Sequence, residues 1–192
     1  MSESESSELR TVEPIDAEEI RAALRGDQAA YGRLVERHQE AIGVYLWRFT
    51  RDPTIHEELV QELFVEAYFG LRGYRGEGRF PHWLKRIATR VGYRYWKRRE
   101  RDRRHVPLQD DVWSTVSRDG ASQCASNEAA QIVHSVLERL PPRDRLVLTL
   151  LYLQGHSVAE AAELSGWTRM MVKVQAFRAR GKLKRLLEQA GQ

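Results

Sequence analysis

Two blocks of apolar residues recur at intervals of three and four, held apart by a stretch where that rhythm fails. The failing stretch runs from about His105 to Asn127 and is crowded by Pro107, Asp110, Asp111, Ser114, Ser117, Gly120, Ser122 and Ser126. Without sustained periodicity it reads as a linker. Neither block shows the alternation of a half-buried strand, and no internal repeat is present. The chain of 192 residues is therefore expected to be all-α: two small helical domains joined by a flexible linker.

The first block opens with Asp16, which can cap a helix over 17–25, and Gly26 can end it. Asp27 can open a longer helix carrying Leu34, Val35, Ile42, Tyr45, Leu46 and Phe49, broken at Asp52-Pro53. Thr54-Ile-His-Glu57 has the form of a capping box, followed by Leu59, Leu63, Phe64, Ala67 and Tyr68 along one stripe. Glycines at 70, 73, 76 and 78 read as a loop, and Pro81 suits the first turn of a helix running through Trp83, Leu84, Ile87, Ala88 and Val91 into Trp96. In the second block Ile132, Val133, Val136, Leu137 and Leu140 make a stripe, and Pro141-Pro142 starts a helix that Gly155 can stop. Ser157-Val-Ala-Glu160 is a second capping box, Ser165-Gly166-Trp167 a tight turn, and Thr168 can cap a final helix to about Glu188. A short helix, a glycine-containing turn and a longer basic helix form the pattern of a helix-turn-helix.

Charge is unevenly distributed. Residues 1–20 hold seven acids and one base, Arg72 to Arg104 thirteen bases and three acids, and Arg169 to Gln192 seven bases and one acid. Residues 53–66 contain Glu57, Glu58, Glu62 and Glu66 and no Lys or Arg. Two separated basic segments suit contact with a polyanion at two places, although a solvated basic surface has the same composition. In the last helix Val172, Ala176, Ala179 and Leu183 form the expected buried stripe. Arg169, Met170, Lys173, Val174 and Phe177 then lie on the other side, flanked by Arg178, Arg180 and Lys182. A helix that reads DNA needs long cations for phosphates and a few side chains that reach base edges. In the first block Arg86, Arg90, Arg94, Lys97 and Arg101 fall on one side of a helix interleaved with aromatic residues, a combination that can track phosphates and stack on unpaired bases. Arg72, Tyr74, Arg75 and Arg79 add cations and flexible backbone where an extruded base could be held. Trp83 reads as core, whereas Tyr93, Tyr95 and Trp96 suit either core or stacking. The acidic helix has the wrong sign for DNA, so Val60, Gln61 and the carboxylates are candidates for docking a basic partner helix.

Several classes are disfavoured. There is no apolar run of about 18 residues, so no membrane-spanning helix is expected, and the acidic start does not read as a secretory signal. One cysteine, Cys124, cannot make an internal disulfide or a cysteine-based zinc site. No Walker loop, G-x-S-x-G or Rossmann fingerprint occurs, His56-Glu57-Glu58-Leu59-Val60 lacks the second histidine of a zinc-protease helix, and the histidines are scattered. No enzyme activity, cofactor or metal is expected, and the chain is placed in the cytoplasm.

The order of these signals resembles the bacterial RNA polymerase sigma factors of the small two-domain extracytoplasmic-function (ECF) type, over about residues 20–104 and 129–188. His56-Glu-Glu-Leu-Val-Gln-Glu-Leu-Phe64 is similar to the family's docking helix (AEDLVQEVF), and Phe80-Pro-His-Trp-Leu-Lys-Arg-Ile-Ala88 to its F..WL..IA segment. Leu140-Pro-Pro-Arg-Asp-Arg145, Gly155-His-Ser-Val-Ala-Glu160, Val172-Lys173 and Arg178-Ala-Arg180 resemble LP...R, G.S..EIA and VK...RAR. Six matches in order are far more specific than any one. The resemblance implies an acidic tail over 1–19 and a domain over 20–104 that docks on core RNA polymerase through Glu57, Glu58, Val60, Gln61 and Phe64. That domain would melt the −10 element with Arg72, Tyr74, Arg75, Arg79, Arg86, Arg90, Arg94 and Lys97. A linker over 105–128 would lead to a domain over 129–192 that reads the −35 element with Thr168, Arg169, Met170, Lys173, Val174, Phe177, Arg178 and Arg180. It implies promoter DNA and core polymerase as partners, an anti-sigma factor as a third, and a monomer when free. The pattern departs where Asn and Asp become Arg90 and Arg94, where Ser-Arg becomes Val174-Gln175, and where Phe177 stands for a polar residue. Met170, Val174 and Phe177 could touch thymine methyls or a protein partner. A helix-turn-helix regulator that never enters polymerase, and a sigma-like adaptor that binds polymerase without initiating, are the competing readings.

Overall fold

The computed structural model describes residues 14–76, 79–105 and 133–190. The expected linker, most of the acidic tail, Cys124, Ile132 and part of the glycine loop (Glu77 and Gly78) lie outside the described residues. Among the described residues every regular element is helical: α1 Pro14–Leu24, α2 Gln28–Leu46, α3 Pro53–Gly70, α4 Phe80–His105, α5 over 133–138, α6 Pro142–Leu148, α7 Val158–Ser165 and α8 Arg169–Ala190. They form two compact units that part within α4, between Tyr95 and Trp96.

In the first unit, α1 turns into α2 at Gly26, whose φ of 99° is open to glycine without strain. Asp27 caps α2 by accepting from the Ala30 amide, as its position predicts. The cap of α3 differs from expectation. Asp52, with Pro53 in the first turn, accepts from the Thr54 and Ile55 amides, so the helix begins before the Thr54 capping box. Asp16 also departs from its expected capping role. Its carboxylate is fully buried between His38 Nε2 (3.1 Å) and Arg37 Nη1 (2.7 Å) of α2. Glu19 receives Arg37 at 2.6 Å and Arg33 at 3.2 Å, which ties α1 down along α2. Burying Asp16 without those donors would leave an uncompensated charge.

Leu34, Ile42, Leu46, Leu59, Leu63, Leu84 and Val91 close the core of this unit with Phe49 and Phe80. One close approach sets the seat of α4: a Cβ at Gly92 would stand 2.2 Å from the Phe49 ring. Trp83 is half-buried and stacks on Phe80 (centroids 5.4 Å apart); Trp96, the first residue of the second unit, is buried.

In the second unit, α6 continues through a π-helical turn, Thr149–Leu153, with the Gln154 amide bonding the Thr149 carbonyl five residues back. Gly155, at φ 70°, then ends the segment. The Ser157–Glu160 capping box is formed reciprocally, at 2.8 and 3.2 Å. Gly166, at φ 73°, turns α7 toward α8, and the Thr168 hydroxyl accepts from the Met171 amide to cap α8. Leu146, Val147, Leu150, Ala161, Val172, Ala176 and Ala179 are buried there. Leu183 is only half-buried, so the stripe of α8 weakens past its middle.

Candidate functional site

The acidic helix α3 has three faces. Leu59, Leu63 and Ala67 point into the core. Phe64 joins them at 9% exposed. A second face carries Glu62 and Glu66. Arg94 of α4 donates to Glu62 at 2.6 Å and also to Glu66, and Arg90 donates to Glu66 at 3.0 Å. Burial pulls the Arg94 guanidinium down, and its bonds to the two carboxylates more than reverse this, leaving its pKa raised. The third face carries Glu57, Glu58 and Gln61, all exposed, with Val60 half-buried beside them. It continues into Val65, Tyr68 and Phe69, the last 76% exposed. Val65 and Phe69 follow Gln61 at successive intervals of four. That spacing could have flagged them, but an apolar residue next to a core stripe does not show from sequence which way it points.

The cations of α4 are therefore not equivalent. Arg86, Arg90 and Lys97 are exposed and Arg94 is half-buried, and Arg90 and Arg94 also pair with carboxylates of α3. Arg72, Arg75 and Arg79 are exposed along the loop before α4. Tyr74 is half-buried, edge-on to Phe80 at 5.5 Å and tilted against Trp83 at 5.3 Å. Burial and the nearby Asp16 carboxylate push its hydroxyl pKa up, so it remains neutral at physiological pH. An aromatic cluster thus sits at the root of a cationic loop.

On α8 the buried residues face inward, and Arg169, Met170, Lys173, Val174, Phe177, Arg178 and Arg180 are all exposed, as the spacing predicts. Thr168 is exposed too, with its hydroxyl engaged in the cap. Arg180 donates to the Tyr152 hydroxyl at 3.0 Å. Gln175 and Lys182 hold one buried carboxylate. Asp144 of α6 accepts from Gln175 Nε2 and from Lys182 Nζ, each at 2.6 Å. Lys182 accordingly serves α6 rather than the outer face. Sequence could not reveal this pair, because Asp144 and Lys182 lie 38 positions apart. Among the described residues no cluster of His, Cys, Asp and Glu could hold a metal, and no helix is long and apolar enough to cross a membrane.

These two arrangements, a charged helical unit and a helix-turn-helix, coincide with two family matches: Sigma-70 region 2 over residues 34–102 and Sigma-70 region 4 over residues 130–183. The architecture is that of a sigma factor with regions 2 and 4. The ECF RNA polymerase sigma-E factor of Escherichia coli K12 is 32% identical over 168 residues, covering 81% of this chain and 85% of that protein. A solved structure of CnrH in complex with the cytosolic domain of CnrY matches at TM-score 0.57 and 28% identity, covering 91% of this chain and 97% of that one. The sigma factor RpoE of Bartonella quintana, solved with the anti-sigma factor NepR, shares the fold at TM-score 0.54 and 19% identity, covering 82% of this chain and 96% of that one. The chain belongs to the ECF sigma factors, the promoter-recognising transcription initiation factors of bacterial RNA polymerase.

Proposed function

We propose that residues 20–104 dock on core RNA polymerase through the outer face of α3 and melt the −10 element, and that residues 129–192 read the −35 element through α8. Residues 105–128 are the tether between them, and 1–19 an acidic tail. The observation that carries the docking assignment is the partition of the α3 carboxylates. Glu62 and Glu66 are engaged with α4, whereas Glu57, Glu58 and Gln61 stand exposed beside Val65 and Phe69. Such a face suits a basic partner helix with an apolar seam. The exposed cations of the loop and of α4, beside the Tyr74–Phe80–Trp83 cluster, suit single-stranded DNA leaving a duplex.

In this reading the chain works in the cytoplasm, is a monomer when free, needs no cofactor and makes no bonds itself, the polymerase supplying the chemistry. An anti-sigma factor is a further partner, in keeping with the complex with the anti-sigma factor NepR in which the Bartonella sigma factor was solved. The Gln175 bond to Asp144 weakens the adaptor reading, because the missing arginine at that position leaves the outer face of α8 still cationic.

The test separates polymerase from DNA. Val60→Ala with Gln61→Ala, and separately Glu57→Lys, should weaken association with core polymerase while leaving the affinity of the free chain for DNA unchanged. Equal losses in both assays would contradict the docking assignment.

A further inference from the structure

The outer face of α8 is not uniformly polar. Met170, Val174 and Phe177 are 69%, 42% and 73% exposed, a ridge of large apolar side chains left in water. At ~100° per residue the three fall within about 60° of arc, and the buried Val172, Ala176 and Ala179 lie on the opposite side of the helix. By the same rotation Lys173 flanks the ridge on one side and Arg178 on the other. From Arg169 to Leu187 the helix contains no acid. One turn beyond Phe177 stands Gly181, which leaves the ring edge uncovered in a hollow also lined by Arg178 and Arg185. The roll of the helix is set from behind by Asp144, which holds Gln175 and Lys182.

The geometry points to a specificity device: the Met170–Val174–Phe177 ridge reads thymine C5-methyl groups on the floor of the −35 major groove, while Lys173 and Arg178 hold the phosphates of its two walls. The major groove admits a helix, and the thymine methyl is its one apolar marker, which apolar side chains recognise by contact. Cations on both borders of an apolar ridge match a floor of base edges between two phosphate strands. The ridge also occupies the N-terminal half of the second helix of the helix-turn-helix, the part that meets base edges. The inference deepens the −35 assignment above and rests on it.

The test uses the full chain assembled with core polymerase. Duplexes are first selected from a randomised pool, and each thymine in the −35 half of the selected duplex is then replaced by deoxyuridine, which removes only the methyl. Thymine should be enriched at two or more positions there. Each deoxyuridine at those positions should weaken binding about three- to fivefold, the worth of one buried methyl. With Phe177→Ala or Val174→Ala, substitution at the position that side chain covers should have no further effect. Selection of a defined −35 sequence whose deoxyuridine forms bind as well as thymine would overturn the ridge and leave the promoter-binding reading standing. Alanine variants that keep the full deoxyuridine penalty would overturn it too, the ridge then being a surface for protein. Failure to select any sequence would overturn both the ridge and the −35 assignment.

Discussion

Arg94 of α4 donates to Glu62 of α3 at 2.6 Å and bridges to Glu66 as well, so the basic helix is fastened to the acidic one at the position where the family commonly carries an aspartate. Two arginines that look from sequence like extra DNA contacts are thereby engaged within the protein.

Replacing Arg94 should consequently act on stability before it acts on DNA. Arg94→Ala should destabilise the first unit by about 1 kcal/mol, because the side chain is partly exposed and the pair is screened by water. The double substitution with Glu62→Gln should cost less than the sum of the singles. Denaturant unfolding of the four proteins measures the coupling, and strict additivity would contradict the bridge.

Gly92 opposes two effects whose magnitudes decide the outcome. Alanine favours an exposed helix interior over glycine by about 1 kcal/mol. Here, however, the added Cβ would meet the Phe49 ring at 2.2 Å, and Phe49 is fully buried. Overpacking of this kind costs about 1–3 kcal/mol. Gly92→Ala should therefore lower the midpoint of thermal unfolding, and Phe49→Leu in the same chain should recover part of the loss.

Much of this arrangement is legible in the sequence, and the exceptions have a common cause. Helices, caps and turns at Asp27, Ser157, Thr168, Gly155 and Gly166 follow from local chemistry, so sequence finds them. The exposed face of α8 follows from its periodicity. What sequence does not show is a partner far along the chain. Asp16 reads as a cap until His38 and Arg37 claim it, and neither the pairing of Arg90 and Arg94 with Glu62 and Glu66 nor that of Lys182 with Asp144 can be read from local spacing. Phe64 sits at the edge between the core and surface of α3, where a one-residue rotation decides the side.

The cations of α8 should divide accordingly in solution. Neutralising Lys173 or Arg178 should reduce the salt slope of −35 duplex binding by about one unit per lost phosphate contact. Lys182→Met should leave the slope unchanged and instead lower the stability of the second unit, since it strips a donor from the buried Asp144. An equal change in slope for all three would contradict the division.

Glu19 predicts a dependence on acid. The bond from Arg37 outweighs burial and, with Arg33, holds the Glu19 carboxyl below its ordinary 4.5. A depressed carboxyl contributes stability that is present above its unfolded pKa and is lost as pH falls through the lower, folded value. The thermal midpoint of the first unit should drop as pH falls from about 5 through 4 and below, and Glu19→Gln should start lower and show a shallower drop. A variant with the parent's full acid sensitivity would remove Glu19 as a source.

One chain is expected to carry both a polymerase-docking surface and the means to open a promoter. The direct measurement is run-off transcription from selected promoter duplexes with purified core polymerase and the full chain, alongside permanganate reactivity of thymines in the −10 region. A transcript with a defined start and reactive thymines should appear only when both chain and polymerase are present. A chain that fails to join polymerase, or joins it and leaves the −10 thymines unreactive, would contradict it.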